Sequence, residues 1–157
     1  MTYQQRYNAA HEQHFQVEYP SAYKDGHYSP PNMPKVNKSN GLTTFCINYL
    51  TWIGQYGNRI NTMGRLTEGV ERQVSGTVLG VKKWIPSATR KGTADIHGIY
   101  NGKHLSIEVK IGRDIMSQAQ HKEMARIRKA GGYYFVVTSP DDFFRQLDVV
   151  AQELLLF

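Results

Sequence analysis

The sequence predicts a mixed α/β domain, a small sheet flanked by helices, on three observations. Leu42, Phe45, Cys46, Tyr49, Leu50 and Ile53 recur at steps of three and four, the spacing of one helical face. Asn101-Gly102 lies between two β-rich runs, the strongest short hairpin signal, because a type I′ turn needs positive φ at both central residues. Residues 133–138 (YYFVVT) form a short continuous apolar run bounded by Gly131-Gly132 and Ser139-Pro140, the pattern of a buried strand.

Each element follows in order. Residues 1–40 are rich in Tyr, His, Gln, Asn and Pro and show neither helical nor alternating patterning, so an irregular arm is expected ahead of a domain spanning 41–157. Residues 42–56 form an amphipathic helix that Gly57 stops. A short strand is expected at 59–62, a polar, glycine-punctuated loop at 64–77, and a strand at 78–85 closed by Pro86. Residues 95–100 and 104–110 are the two hairpin strands. Residues 117–130 form a helix ended by Gly131-Gly132. Ser139-Pro140-Asp141-Asp142 reads as an N-cap, a first-turn proline and two acids on the positive end of a last helix, which carries Phe143, Phe144, Leu147, Val150, Ala151, Leu154 and Leu155.

The chain has 157 residues, 40% of them hydrophobic, enough for one core and short for two domains. No apolar run approaches the ~20 residues of a membrane span. The N-terminus lacks a signal-peptide pattern, and the single Cys46 forms neither an internal disulfide nor a cysteine-rich zinc site. No membrane partner and a cytoplasmic location are therefore expected. Net charge is +6, and its distribution is uneven. Residues 82–129 hold eleven basic residues against four acids, whereas the remainder holds eight against nine. A polyanion partner and a solvated basic face both account for that segment.

The hairpin register brings chemistry together. With Asn101-Gly102 as the loop, Tyr100 faces Lys103, His97 faces Ser106, Ile96 faces Ile107 and Asp95 faces Glu108. Alternation then points Ile96, Gly98, Leu105, Ile107 and Val109 toward a core, and Asp95, His97, Ser106, Glu108 and Lys110 the other way. Facing carboxylates repel and need an offset. Lys110 supplies part of it; a hydrated Mg²⁺, which binds through one or two carboxylates and keeps positions for phosphate, supplies more. Arg90 and Lys91 bring positive charge to the same edge, beside Gly92, which allows close backbone approach. Lys82, Lys83 and Arg113 extend this basic segment as further candidates for nucleic-acid contact. Ser117-x-x-Gln120 fits a capping box, yet Gln120 also begins the sheet-facing stripe with Met124 and Ile127, so it suits both capping and a phosphate or water contact.

Gly92-Thr93-Ala94-Asp95, Ile107-Glu108-Val109-Lys110, Gln120 and Ala130-Gly131-Gly132 before an apolar strand together resemble the VRR-NUC branch of the PD-(D/E)xK nuclease superfamily, over residues 42–147. The resemblance implies a restriction-endonuclease-like core and Mg²⁺- or Mn²⁺-dependent cleavage of DNA. It makes Asp95 and Glu108 metal ligands together with the Val109 carbonyl, Lys110 the catalytic lysine and Gln120 its supporting residue. It places Arg59 and Arg65 beside the DNA. Two positions depart from the family pattern. Ala94 stands where the family usually has proline, and the helix at 42–56 lacks the acid often found there; Asn48 and Gln55 are its nearest polar substitutes, and Glu68 or Glu71 its replacement candidates. Family members act on branched, flapped or nicked DNA or as small phage-type nucleases, which implies a bacterial or phage-infected cell. A homodimer is compatible with the resemblance, because branched-DNA enzymes often cut two strands symmetrically. A nucleic-acid-binding protein that keeps the fold without turnover is the alternative.

Overall fold

Alternation along the central hairpin decides which side of the sheet becomes the core. In the computed structural model, which describes residues 1–60, 65–72, 74–76, 78–85 and 89–155, β4 (Ile96–Tyr100) and β5 (Lys103–Val109) pair antiparallel. Their register is the expected one, with Tyr100 opposite Lys103 and Ile96 opposite Ile107. Asn101 and Gly102 take φ of 48° and 76°, as the two-residue turn requires. β6 (Tyr133–Val137) joins β5 in parallel and β1 (Tyr56–Arg59) joins β4 antiparallel, giving a four-stranded mixed sheet in the order β1-β4-β5-β6.

One face of this sheet presents Ile96, Tyr100, Leu105, Ile107, Val109, Phe135 and Val137, all buried. Against it pack α3 (Ser39–Trp52), through Leu42, Phe45, Cys46 and Leu50, and α5 (Pro140–Leu155), through Phe143, Phe144, Leu147 and Val150. α4 (Gln118–Lys129) lies against β6 and takes the opposite, polar face. Ser117 caps it as read, in a reciprocal capping box with Gln120. No helix among the described residues is long and apolar enough to cross a membrane.

Four expectations need correction. The segment 1–40 is not an irregular arm throughout: it contains α1 (Tyr3–Glu18) and α2 (Pro20–Lys24). Thr2 and Gln5 form a capping box on α1, and Tyr7, fully buried, stacks on Phe45 at 4.4 Å and meets Trp52 edge-on at 4.7 Å. The residues that α1 buries are Tyr7 and Ala10, with Tyr7 making the large contacts. The helix at 42–56 ends sooner, at Trp52, and the left-handed residue after it is Gly54 with φ 72° rather than Gly57. Gly57 lies within β1, so the strand expected at 59–62 is shifted to 56–59, and residues 61 and 62 lie outside the described part. The segment read as a loop at 64–77 contains β2 (Arg65–Arg72), which pairs with β3 (Val78–Ile85) in a separate two-stranded sheet. Leu66, Val70 and Ile85 are exposed there.

The outer edge of β6 is occupied by side chains. Arg128 Nη2 donates to the Tyr134 carbonyl at 3.0 Å, Gln146 Nε2 donates to the Val136 carbonyl at 2.8 Å, and the Thr138 N–H donates to Asp142 Oδ2 at 3.1 Å.

Candidate active site

The polar face of the sheet under α4 holds the chemistry. Asp95 ends the loop entering β4. Its carbonyl accepts from the Ile60 N–H at 2.8 Å, and its carboxylate Oδ2 accepts from the Val109 N–H at 2.9 Å. The carboxylate thus continues the β4–β5 ladder one step past the last paired residues and is fixed beside Glu108. The loop before it is held close to α4. Gly92 has φ 86°, and a Cβ there would stand 2.4 Å from the Ala119 carbonyl group, so only glycine fits without displacement.

Glu108 is 2% exposed. Its Oε1 accepts from Gln120 Nε2 at 2.6 Å and lies 3.0 Å from Lys110 Nζ, while its Oε2 is buried with no hydrogen-bond partner among the described residues. Burial first, then the charge of Asp95, pushes its pKa up to about 7, with Lys110 pulling the other way. Gln120 bridges two duties: its Oε1 accepts from the Ser117 N–H at 2.7 Å while its Nε2 holds Glu108. The capping role read from the sequence is met, and the other end of the amide reaches Glu108.

Lys110 is 7% exposed and does not face an open cleft. It sits between Glu108 and Asp114 Oδ2, the latter at 3.3 Å. Burial lowers its pKa, but the hydrogen bonds and charges of these two acids outweigh it and leave the pKa raised, so the ammonium stays protonated. Asp114 was not singled out in the sequence; its signal is the four-residue step from Lys110 within an otherwise irregular loop.

The basic candidates divide. Arg59 ends β1 directly opposite Ile96, next to Asp95, and bonds Asn40 Oδ1 at 2.7 Å. Arg90 and Lys91 are exposed on the Asp95 loop, with Arg90 3.8 Å from Glu123 on α4, which puts that loop on the acids' side. Arg113 is exposed in the loop after Lys110. Arg90, Lys91 and Arg113 adjoin the site, whereas the Arg59 side chain lies on the Ile96 side of the sheet, toward α3. Lys82 and Lys83 belong instead to the separate hairpin, where Lys82 lies 3.4 Å from Glu68. Glu68 therefore faces a lysine of its own hairpin. The side chains of Arg65 and Glu71 lie outside the described residues.

Ser106 lies on this face as read, and two further residues here, His104 and Tyr134, were not singled out in the sequence. His97, Ser106 and Tyr134 stand in one row across β4, β5 and β6. Ser106 is fully buried and bonds His104 Nε2 at 2.9 Å, and the His97 ring meets His104 edge-on at 5.2 Å. Burial, then His104, lowers the His97 pKa, against a pull from Glu123, which keeps the ring neutral at pH 7.

The donor set suits one kind of divalent cation and not another. Among the described residues no three His, Cys, Asp or Glu side chains converge as a metal site. Two carboxylates do approach each other, and one of their oxygens, Glu108 Oε2, is buried without a donor among the described residues. That set fits a largely hydrated Mg²⁺, which needs one or two carboxylates, and not a caged ion. No protein-family model and no curated protein matches this chain.

Proposed function

We propose that this chain is a Mg²⁺- or Mn²⁺-dependent DNA endonuclease that hydrolyses phosphodiester bonds. The observation that supports it most is Glu108: a buried carboxylate, beside Asp95 and Lys110, with one oxygen that has no hydrogen-bond partner among the described residues and a pKa raised to about 7. A buried acid so disfavoured in its charged form is stabilised by a cation, and such perturbed groups concentrate at functional sites.

Asp95 and Glu108 would hold the ion, with the Val109 carbonyl as the further ligand suggested by the resemblance. When bound, the ion acidifies a water and neutralises charge on the phosphate. Gln120, anchored at Ser117, keeps Glu108 in one orientation. Lys110 stays protonated, and its ammonium stabilises negative charge that develops on the phosphate. Arg90, Lys91 and Arg113 offer phosphate contacts around the site.

A second reading, a nucleic-acid-binding protein without turnover, draws on one observation: Lys110 is already engaged by both Glu108 and Asp114. A panel of single-stranded, duplex, flap and four-way-junction DNA, with and without Mg²⁺, separates the two. Strand scission in Mg²⁺ and none in chelator is the expected result. Binding without scission, and without uptake of metal, would instead establish the second reading.

A further inference from the structure

Glu108 Oε2 and Tyr134 Oη are both buried, and neither has a hydrogen-bond partner among the described residues. Tyr134 is 2% exposed, on the same polar face as Glu108. It pairs with Ser106 and so stands diagonally one step from Glu108, which pairs with Val136. A long aromatic side chain spans such a diagonal. The surroundings report the same proximity: after burial, the charge of Glu108 is the largest cause that raises the Tyr134 phenol above its ordinary range.

A buried hydroxyl and a buried carboxylate oxygen left unmatched are each costly, and a phenol can donate its proton to an acceptor near its ring plane. Gln120 and Lys110 already serve Oε1, so Oε2 is the atom left to direct. We infer that Tyr134 is a positioning residue whose hydroxyl donates to Glu108 Oε2 and fixes how that oxygen meets a divalent cation. This rests on the metal-site reading above. Tyr134 touches neither substrate nor ion; it acts through Glu108, as outer partners of metal-bound carboxylates do.

The test is Mn²⁺ titration by calorimetry, without DNA, of the wild type and Tyr134→Phe, with Mg²⁺ half-saturation of cleavage measured alongside. Tyr134→Phe keeps the ring, and circular dichroism checks the fold. The expected result is metal affinity weaker by roughly 10–100-fold. The loss should show in the half-saturation more than in the rate at saturating metal. In a Glu108→Gln background the same change should add nothing. An idle hydroxyl would leave metal affinity unchanged in Tyr134→Phe, and that result overturns the inference. A wild type that binds Mn²⁺ but cuts no DNA removes the nuclease reading and leaves Tyr134 in place. A wild type that binds no metal removes both.

Discussion

Glu108→Gln replaces the buried acid with its neutral isostere, and the consequence for stability has a definite sign. The folded-state pKa of Glu108 is about 7, against an ordinary 4.5. Between those values the folded protein binds a proton that the unfolded chain releases, so metal-free stability falls as pH rises through the window and is level above it. The gap of about 2.5 units, at about 1.36 kcal/mol each, amounts to about 3 kcal/mol. The side chain is 3% exposed, so solvent screening takes little from that figure. The substituted glutamine has no proton to lose, so the variant should gain about 3 kcal/mol on the wild type as pH rises from about 4.5 to about 8. The assay is urea denaturation of both proteins in chelator across that range. Adding Mn²⁺ should recover stability for the wild type at pH 8 and not for the variant. Parallel stability curves in chelator would refute the reasoning, because they would mean that Lys110 fully offsets the cost of the charge.

Lys110→Ala takes the counter-ion from Glu108 and should lower single-turnover cleavage at saturating Mg²⁺ by about 10²–10³. It should also lower metal-free stability at pH 8, with DNA binding retained; equal cleavage rates would reduce Lys110 to a counter-ion. Gly92→Ala meets both a positive φ and the Ala119 backbone, so it should destabilise by about 1–3 kcal/mol. By pushing the Asp95 loop off α4 it should also raise the Mg²⁺ requirement, and an unchanged melting temperature would contradict this packing. Replacing Arg90 and Lys91 together by alanine should flatten the salt dependence of DNA binding by about one counterion per lost phosphate contact. An unchanged slope would mark them as solvated bystanders.

The hairpin that carries the acids was legible because its determinants are local. Asn101-Gly102 fixes the turn, the turn fixes the register, and the register sets Asp95 next to Glu108. Period-two alternation then sorted the two faces correctly. It could not show that the polar face is also covered: α4 docks there and its Gln120 reaches Glu108, while Lys110 is enclosed between Glu108 and Asp114. Tyr134 escaped for a similar reason, since a tyrosine inside YYFVV reads as core until the parallel register sets it beside Ser106. α1 was missed because Tyr and His score as polar although here Tyr7 stacks on Phe45 and His11 meets Trp52 edge-on. β3 was read at its observed bounds; β2 was missed because its run, RLTEGVER, sets only Leu66 and Val70, both exposed, among polar residues and a glycine.

The side chains along β6 bear on assembly. A sheet border with free carbonyls and amides is a template on which another strand can add. Here α4 and α5 spend Arg128, Gln146 and Asp142 on that border, so a strand arriving at β6 would have to displace three satisfied hydrogen bonds before forming its own. The sheet can therefore be extended more readily from its other end, at the four-residue β1. That end also carries Arg59 and the contact to Asp95. A strand added there would lie beyond β1, with β4 still between it and β5, so self-association through the sheet would leave Glu108 covered by α4.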